Sequence, residues 1–118
     1  VRKATTISTI ALISLDGKPL RETASAVLFH LTDVCNSNIR FANETKTLVL
    51  HKGTLPLLLR RGSAEIAIAA QRPFKVTALN CDGMPKGEIR GHFANGKFSF
   101  PVKNDRFSGG VMAYHLTR

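Results

Sequence analysis

A chain of 118 residues with 43% apolar content supports one domain around one hydrophobic core and excludes bulk disorder. The net charge of +9, from 17 Lys and Arg against 8 Asp and Glu, makes salt-sensitive attraction to polyanions an expected property. No apolar run approaches the ~20 residues of a membrane-spanning helix, since Glu65 interrupts even the Ala/Ile-rich segment after Ser63. The chain opens on Val1, with no initiator Met and no apolar signal-type segment, so we expect residues 1–118 to be a single domain excised from a larger multidomain protein.

In chain order, Thr5–Leu15 is rich in β-branched residues and stops at Asp16-Gly17, a turn signal, with Pro19 in the connection. Ala24–Val34 alternates, with Val27, Phe29 and Leu31 on one face and Leu28, His30 and Thr32 on the other, as a central strand covered on both sides would. Cys35–Asn38 reads as a loop, Asn43-Glu44 as a second break, and Thr45–His51 as a strand ending at Lys52-Gly53. Pro56–Arg60 and Ser63–Ala70 flank Arg61-Gly62, which predicts a tight hairpin. Phe74–Leu79 is the next strand, turned by Asp82-Gly83 and Pro85.

The strongest local signal is Gly87–Val102, GEIRGHFANGKFSFPV, folded about Asn95-Gly96. Both residues of such a pair accept the positive φ of a type I′ turn. The implied register sets Phe93 against Phe98, Gly91 against Phe100 and Ile89 against Val102 on an apolar face. Arg90, His92, Lys97 and Ser99 then share a basic, polar face. A polar loop, Lys103–Gly110, leads into a last strand, Val111–Leu116. About nine short strands with turn signals between them and no helix predict an all-β antiparallel sandwich of eight to nine strands, Ig-like or jelly-roll-like.

Catalytic constellations are missing from this pattern. Gly-x-Ser-x-Gly, HExxH and Gly-rich phosphate loops do not occur. Asp33 and Glu44 are the one imaginable carboxylate pair, and both read as solvated loop acids rather than the facing pair that glycoside hydrolysis requires. His30, His51, His92 and His115 fall on separate strands, where imidazoles satisfied by the backbone are expected, so no metal or other cofactor is expected. Cys35 and Cys81 stand 46 positions apart, and whether they meet is left open by spacing. The basic residues are dispersed, Trp is absent, and no recognition helix or zinc motif is present, so no specific nucleic-acid partner is expected. Asn43-Glu44-Thr45 and Arg60-Arg61-Gly62-Ser63 match modification motifs at chance level.

Several segments together carry a family resemblance. ISLDGKPL at Ile13–Leu20 resembles the "SLDGKPL" start of C-terminal β-sandwich domains in large bacterial glycoside hydrolases. LFHLTDVCNSNIRF is similar to that family's strand and "ENTGM"-type loop, and GTLPLLLRRGSAEIAI to its "WGxxPxLV" element and following strand. FKVTALNCDGMPKGEI and VMAYHLTR look like its later and closing strands. The resemblance spans nearly the whole chain, in order. This sequence departs from it at His51-Lys52, where an aromatic precedes the glycine, and in the altered "NTG" loop, so substrate contacts made there by relatives are not implied here.

The resemblance implies a non-catalytic accessory module of a secreted bacterial enzyme, extracellular or periplasmic, whose partners are polysaccharide and the parent's catalytic TIM barrel. Sugar recognition asks for exposed aromatic rings with amides and charges around them. Phe29, Phe74, Phe93, Phe98 and Phe100 have core-facing parity, which leaves Phe41 and Phe107 beside Asn-rich loops. The candidate carbohydrate-binding residues are therefore Asn36, Asn38, Phe41, Arg90, His92, Lys97, Asn104 and Phe107. Two other readings stand beside this one: a purely structural domain packed on the barrel, marked by an exposed apolar patch, and a charge-driven polyanion binder. Lys and Pro near the strand edges favour a monomer.

Overall fold

The computed structural model describes residue 1, residues 3–107 and residues 109–118. Among them there is no helix, and the strands are β1 (Thr9–Ser14), β2 (Ser25–Leu31), β3 (Val34–Ser37), β4 (Arg40–Phe41), β5 (Val49–His51), β6 (Thr54–Leu59), β7 (Ser63–Ala69), β8 (Lys75–Leu79), β9 (Pro85–Ile89), β10 (His92–Ala94), β11 (Lys97–Lys103) and β12 (Ala113–Thr117). All pairing is antiparallel. A five-stranded sheet has the order β1-β2-β12-β8-β9, a three-stranded sheet the order β10-β11-β7, and β3-β6 and β4-β5 form two-stranded ladders.

The two larger sheets share one core. Ala26, Leu28, Val76, Ala78, Ile89, Tyr114 and Leu116 of the first cluster with Ala64, Ile66, Phe98, Phe100 and Val102 of the second. Alternation explains why these residues are inside: in β11, Phe98, Phe100 and Val102 are buried while Lys97, Pro101 and Lys103 face outward. Phe100 meets Tyr114 with ring centroids 6.4 Å apart, and the Tyr114 hydroxyl accepts a hydrogen bond from the Lys103 backbone N–H at 3.2 Å. Phe74 packs between the Phe98 ring and the Arg118 guanidinium, whose carbon lies 4.4 Å from the Phe74 centroid.

Twelve strands replace the expected nine, partly because Cys35–Asn38 is not a loop: Val34–Ser37 pairs with β6. The expected hairpin at Arg61-Gly62 does not form either, since β6 pairs with β3 and β7 with β11. Gly62 is there for close approach, because a Cβ would sit 2.7 Å from the Thr6 methyl and 2.9 Å from that of Thr32. The Asn95-Gly96 turn is as expected, with φ of 53° and 73° and Phe93 opposite Phe98.

The hairpin's base is a correction. Ile89 does not face Val102; its partner is Val76 in the other sheet, and the chain crosses between sheets at Arg90-Gly91. Two of the five core-facing phenylalanines are also corrected. Phe29 is half-buried on the outer side of β2, and Phe93, on the edge strand, is 37% exposed.

Residues 34–59 form an arm of the two small ladders, in a molecule 51 Å long and about half as wide. The root of the arm is pinned. Asn104 is 1% exposed; its amide donates to the Thr32 hydroxyl (3.1 Å) and the Arg60 carbonyl (2.8 Å), and its side-chain oxygen accepts from the Gly62 N–H (3.0 Å). Arg60 N–H donates to the Asp33 carbonyl at 2.8 Å, so the two ends of the arm also hold each other.

Candidate functional site

The eight residues singled out from sequence do not converge. Asn36 and Phe41 line one concavity of about 300 Å³ on the arm, with Cys35, Ile39, Lys46 and Leu57. There the Asn36 amide donates to the Lys52 carbonyl at 2.8 Å, and Lys46 Nζ stands 5.8 Å from the half-buried Phe41 ring. Asn38 occupies an exposed turn at φ 60°. Lys97 is exposed beside the Asn95-Gly96 turn.

Two residues are engaged by their surroundings. Asn104 reads as a loop amide but is committed to the arm's root, with no group left over for a ligand. Phe107 packs on the backbone of Gly87, where a Cβ would lie 2.7 Å from its ring, so the ring is partly buried against the core.

Arg90 and His92 come together in a larger groove, about 700 Å³, over the outer face of the three-stranded sheet. Its origin is the sheet crossover. β10 starts at His92, opposite Ser99, and the preceding Gly91 and Arg90 peel away toward the other sheet. That leaves the outward row of β11 and β7 uncovered, where Pro101 pairs with Glu65 and Lys103 with Ser63. Arg90–His92 forms one wall, Lys3 and Glu65 the other, and Lys103 with Arg106 closes one end.

The groove is strongly cationic. Glu65 is the single acid in its lining, and Lys3 lies 3.7 Å from it. Lys103 is 3.9 Å from Asp105, whereas Arg90, His92 and Arg106 form no ion pair among the described residues. Such exposed pairs are weak, so the local field stays positive. The alternating pattern of the hairpin marked Arg90, His92 and Ser99. Lys103 follows from the alternation of β11, whereas Lys3 and Arg106 are brought in by tertiary placement of the N-terminal segment and of the loop after β11.

Elsewhere, titratable groups serve structure. Asp16 accepts hydrogen bonds from the hydroxyls of Thr23 (2.6 Å) and Ser14 (2.8 Å) and from the Ala24 and Lys18 N–H groups, which hold its carboxyl well below the usual range. Asp33 is also lowered, by the hydrogen bond and charge of Lys46 and the charge of Arg60. His30 differs from expectation. It is buried, neither ring nitrogen has a hydrogen-bond partner among the described residues, and burial lowers its pKa below 6.5.

Cys35 and Cys81 are free thiols, and no cluster of three His, Cys, Asp or Glu occurs among the described residues. No helix is long and apolar enough to cross a membrane. No family model, curated protein or solved structure matches the chain.

Proposed function

We propose that this chain is a non-catalytic, carbohydrate-associated accessory module with a β-sandwich fold, working outside the cytoplasm as part of a bacterial glycoside hydrolase. The sandwich reading is supported by the single core to which both larger sheets contribute. The functional reading is carried by one observation, the open groove of about 700 Å³ over Pro101, lined by hydroxyls, backbone and charge. Its size falls in the ~300–1,000 Å³ range of small-molecule sites. Its openness fits a chain passing through rather than an enclosed substrate. The binding surface thus moves from the Asn-rich loops to the sheet face, and binding is weak because the groove has no exposed aromatic platform among its lining residues.

The test is retention of the chain on a panel of soluble and insoluble polysaccharides, neutral and acidic, at low and high salt. Retention on one glycan class that persists at high salt is expected. Absence of retention on every glycan would overturn the reading.

The arm favours a second reading, a structural domain packed on the catalytic domain of the same enzyme. Leu55 and Leu57 are 79% and 60% exposed, with Leu48, Val49, Leu50 and Leu58 also at the surface. This many exposed apolar side chains within one segment supports a protein contact there. Arg40, Lys46 and Lys52 stand in the same segment, and a net charge of +9 opposes pairing of two arms, so the chain by itself is a monomer in this proposal. Sedimentation of the chain alone as a dimer at micromolar concentration would reject that state.

A further inference from the structure

Resting on the carbohydrate reading above, we infer that the groove selects carboxylate-bearing polysaccharide, with Arg90 and Arg106 as the residues that read the acid group. Both arginines line the groove, and neither forms an ion pair with a described residue. A guanidinium offers a planar fork of N–H donors that matches a carboxylate in bidentate fashion, which a lysine ammonium cannot do.

The rest of the lining fits a sugar chain better than other polyanions. The floor is the outward row Ser99, Pro101 and Lys103 of β11, where hydroxyl and ammonium donors flank an apolar ring. Single-stranded nucleic acid requires aromatic faces for stacking. The aromatic residue of this lining, Phe100, is buried with its ring turned to the core. Beyond Lys103 the surface continues into a smaller concavity where Arg61 stands 3.6 Å from Asp105, so along this surface the guanidinium groups with no ion pair among the described residues are those of the groove itself. Glu65, paired with Lys3 on the wall opposite Arg90, makes that wall the less positive one, so an acid group is favoured near the crossover.

The experiment compares polygalacturonate with its fully methyl-esterified form by calorimetry at two salt concentrations, with dextran sulfate and single-stranded DNA as further probes. The ester keeps the sugar backbone and removes the charge. Expected are binding of polygalacturonate at least tenfold tighter than of the ester, and loss of most of that difference in Arg90→Gln/Arg106→Gln. A charge-matched control, Lys18→Gln/Lys86→Gln, removes two cations outside the groove and should keep the tenfold preference.

Equal affinity for polygalacturonate and its ester would overturn the carboxylate inference and leave the carbohydrate reading standing. Equal affinity for polygalacturonate, dextran sulfate and DNA, falling together with salt, would reduce the groove to general polyanion attraction and overturn the inference. Binding to none of the glycans would remove both readings. Equal losses in the two double variants would show that net charge alone acts, which also overturns it.

Discussion

In the body of the molecule, Leu28, Val76, Tyr114 and Leu116 of one sheet close against Ile66, Phe98, Phe100 and Val102 of the other. In the arm, Leu48, Leu50, Leu55, Leu57 and Leu58 are no less apolar, yet all five are exposed. The difference is one of layers. A sheet buries a face only where a second layer covers it, and the arm is two separate two-stranded ladders with no sheet packed on them. Residues of the same chemistry therefore stabilise the body and leave the arm dependent on its polar root and its turns. Within the arm, Asn43 ties its loop by accepting from the Thr47 N–H (3.0 Å) and donating to the Thr47 hydroxyl (2.5 Å), and Lys46 reaches back to Asp33 at 2.9 Å.

Four substitutions or conditions test this contrast, from the largest effect down. Phe100→Ala, at the centre of the body, should destabilise by about 3–5 kcal/mol in denaturant titration, as truncation of a buried aromatic does. Asn104→Ala should cost about 1–3 kcal/mol, because it strands the buried Gly62 N–H and leaves the Arg60 carbonyl with the Thr32 hydroxyl alone. Limited proteolysis of that variant should cut first within residues 34–59; cutting elsewhere first would show that Asn104 does not hold the arm.

Acid supplies the third test. The folded-state pKa of His30 is depressed by burial, so in mild acid the unfolded chain binds a proton there that the folded chain refuses. Its contribution is complete above pH 6.5 and declines as pH falls below it, by at most about 1.4 kcal/mol per pH unit. Asp16 also has a lowered pKa, but its contribution is lost only as pH falls below 3.8 toward the folded value, outside that window. Unfolding midpoints at pH 7.5 and 5.5 should therefore drop with acid in the native chain and change less in His30→Leu. An equal drop in both would assign the acid sensitivity elsewhere. The smallest effect is expected in the arm: Leu57→Ser should shift stability by less than about 0.5 kcal/mol. The same variant should lower fluorescence of an apolar dye. A larger loss of stability would mean that Leu57 is covered in solution.

What could be read from sequence divides along a similar line. The Asn95-Gly96 turn and the alternation of Phe98, Phe100 and Val102 are local, and backbone sterics plus the pleat suffice to predict them. Whether Ile89 continues that hairpin or joins the other sheet depends on which layer covers it, and no local signal encodes that choice. Arg61-Gly62 looked like a turn because glycine serves both turns and close approaches, and here the second use prevails. Half of the groove was legible for the same reason: Arg90, His92 and Ser99 follow from alternation, while Lys3 and Arg106 arrive by tertiary placement. Asn104 misled because a buried, fully used amide and a solvated one are spelled identically.

The crossover at Arg90-Gly91 also bears on how the protein comes apart. Residues 85–94 run as one ribbon, bonded to β8 at one end and to β11 at the other. A side chain at Gly91 would overlap the Phe98 ring, so the passage is as tightly fitted as the layers it joins. Peeling the three-stranded sheet drags on the five-stranded one through this stitch. The two should therefore behave as a single cooperative foldon, with the amides of Ile89 and His92 exchanging through one shared opening, while those of Val49 and Leu50 exchange independently and faster.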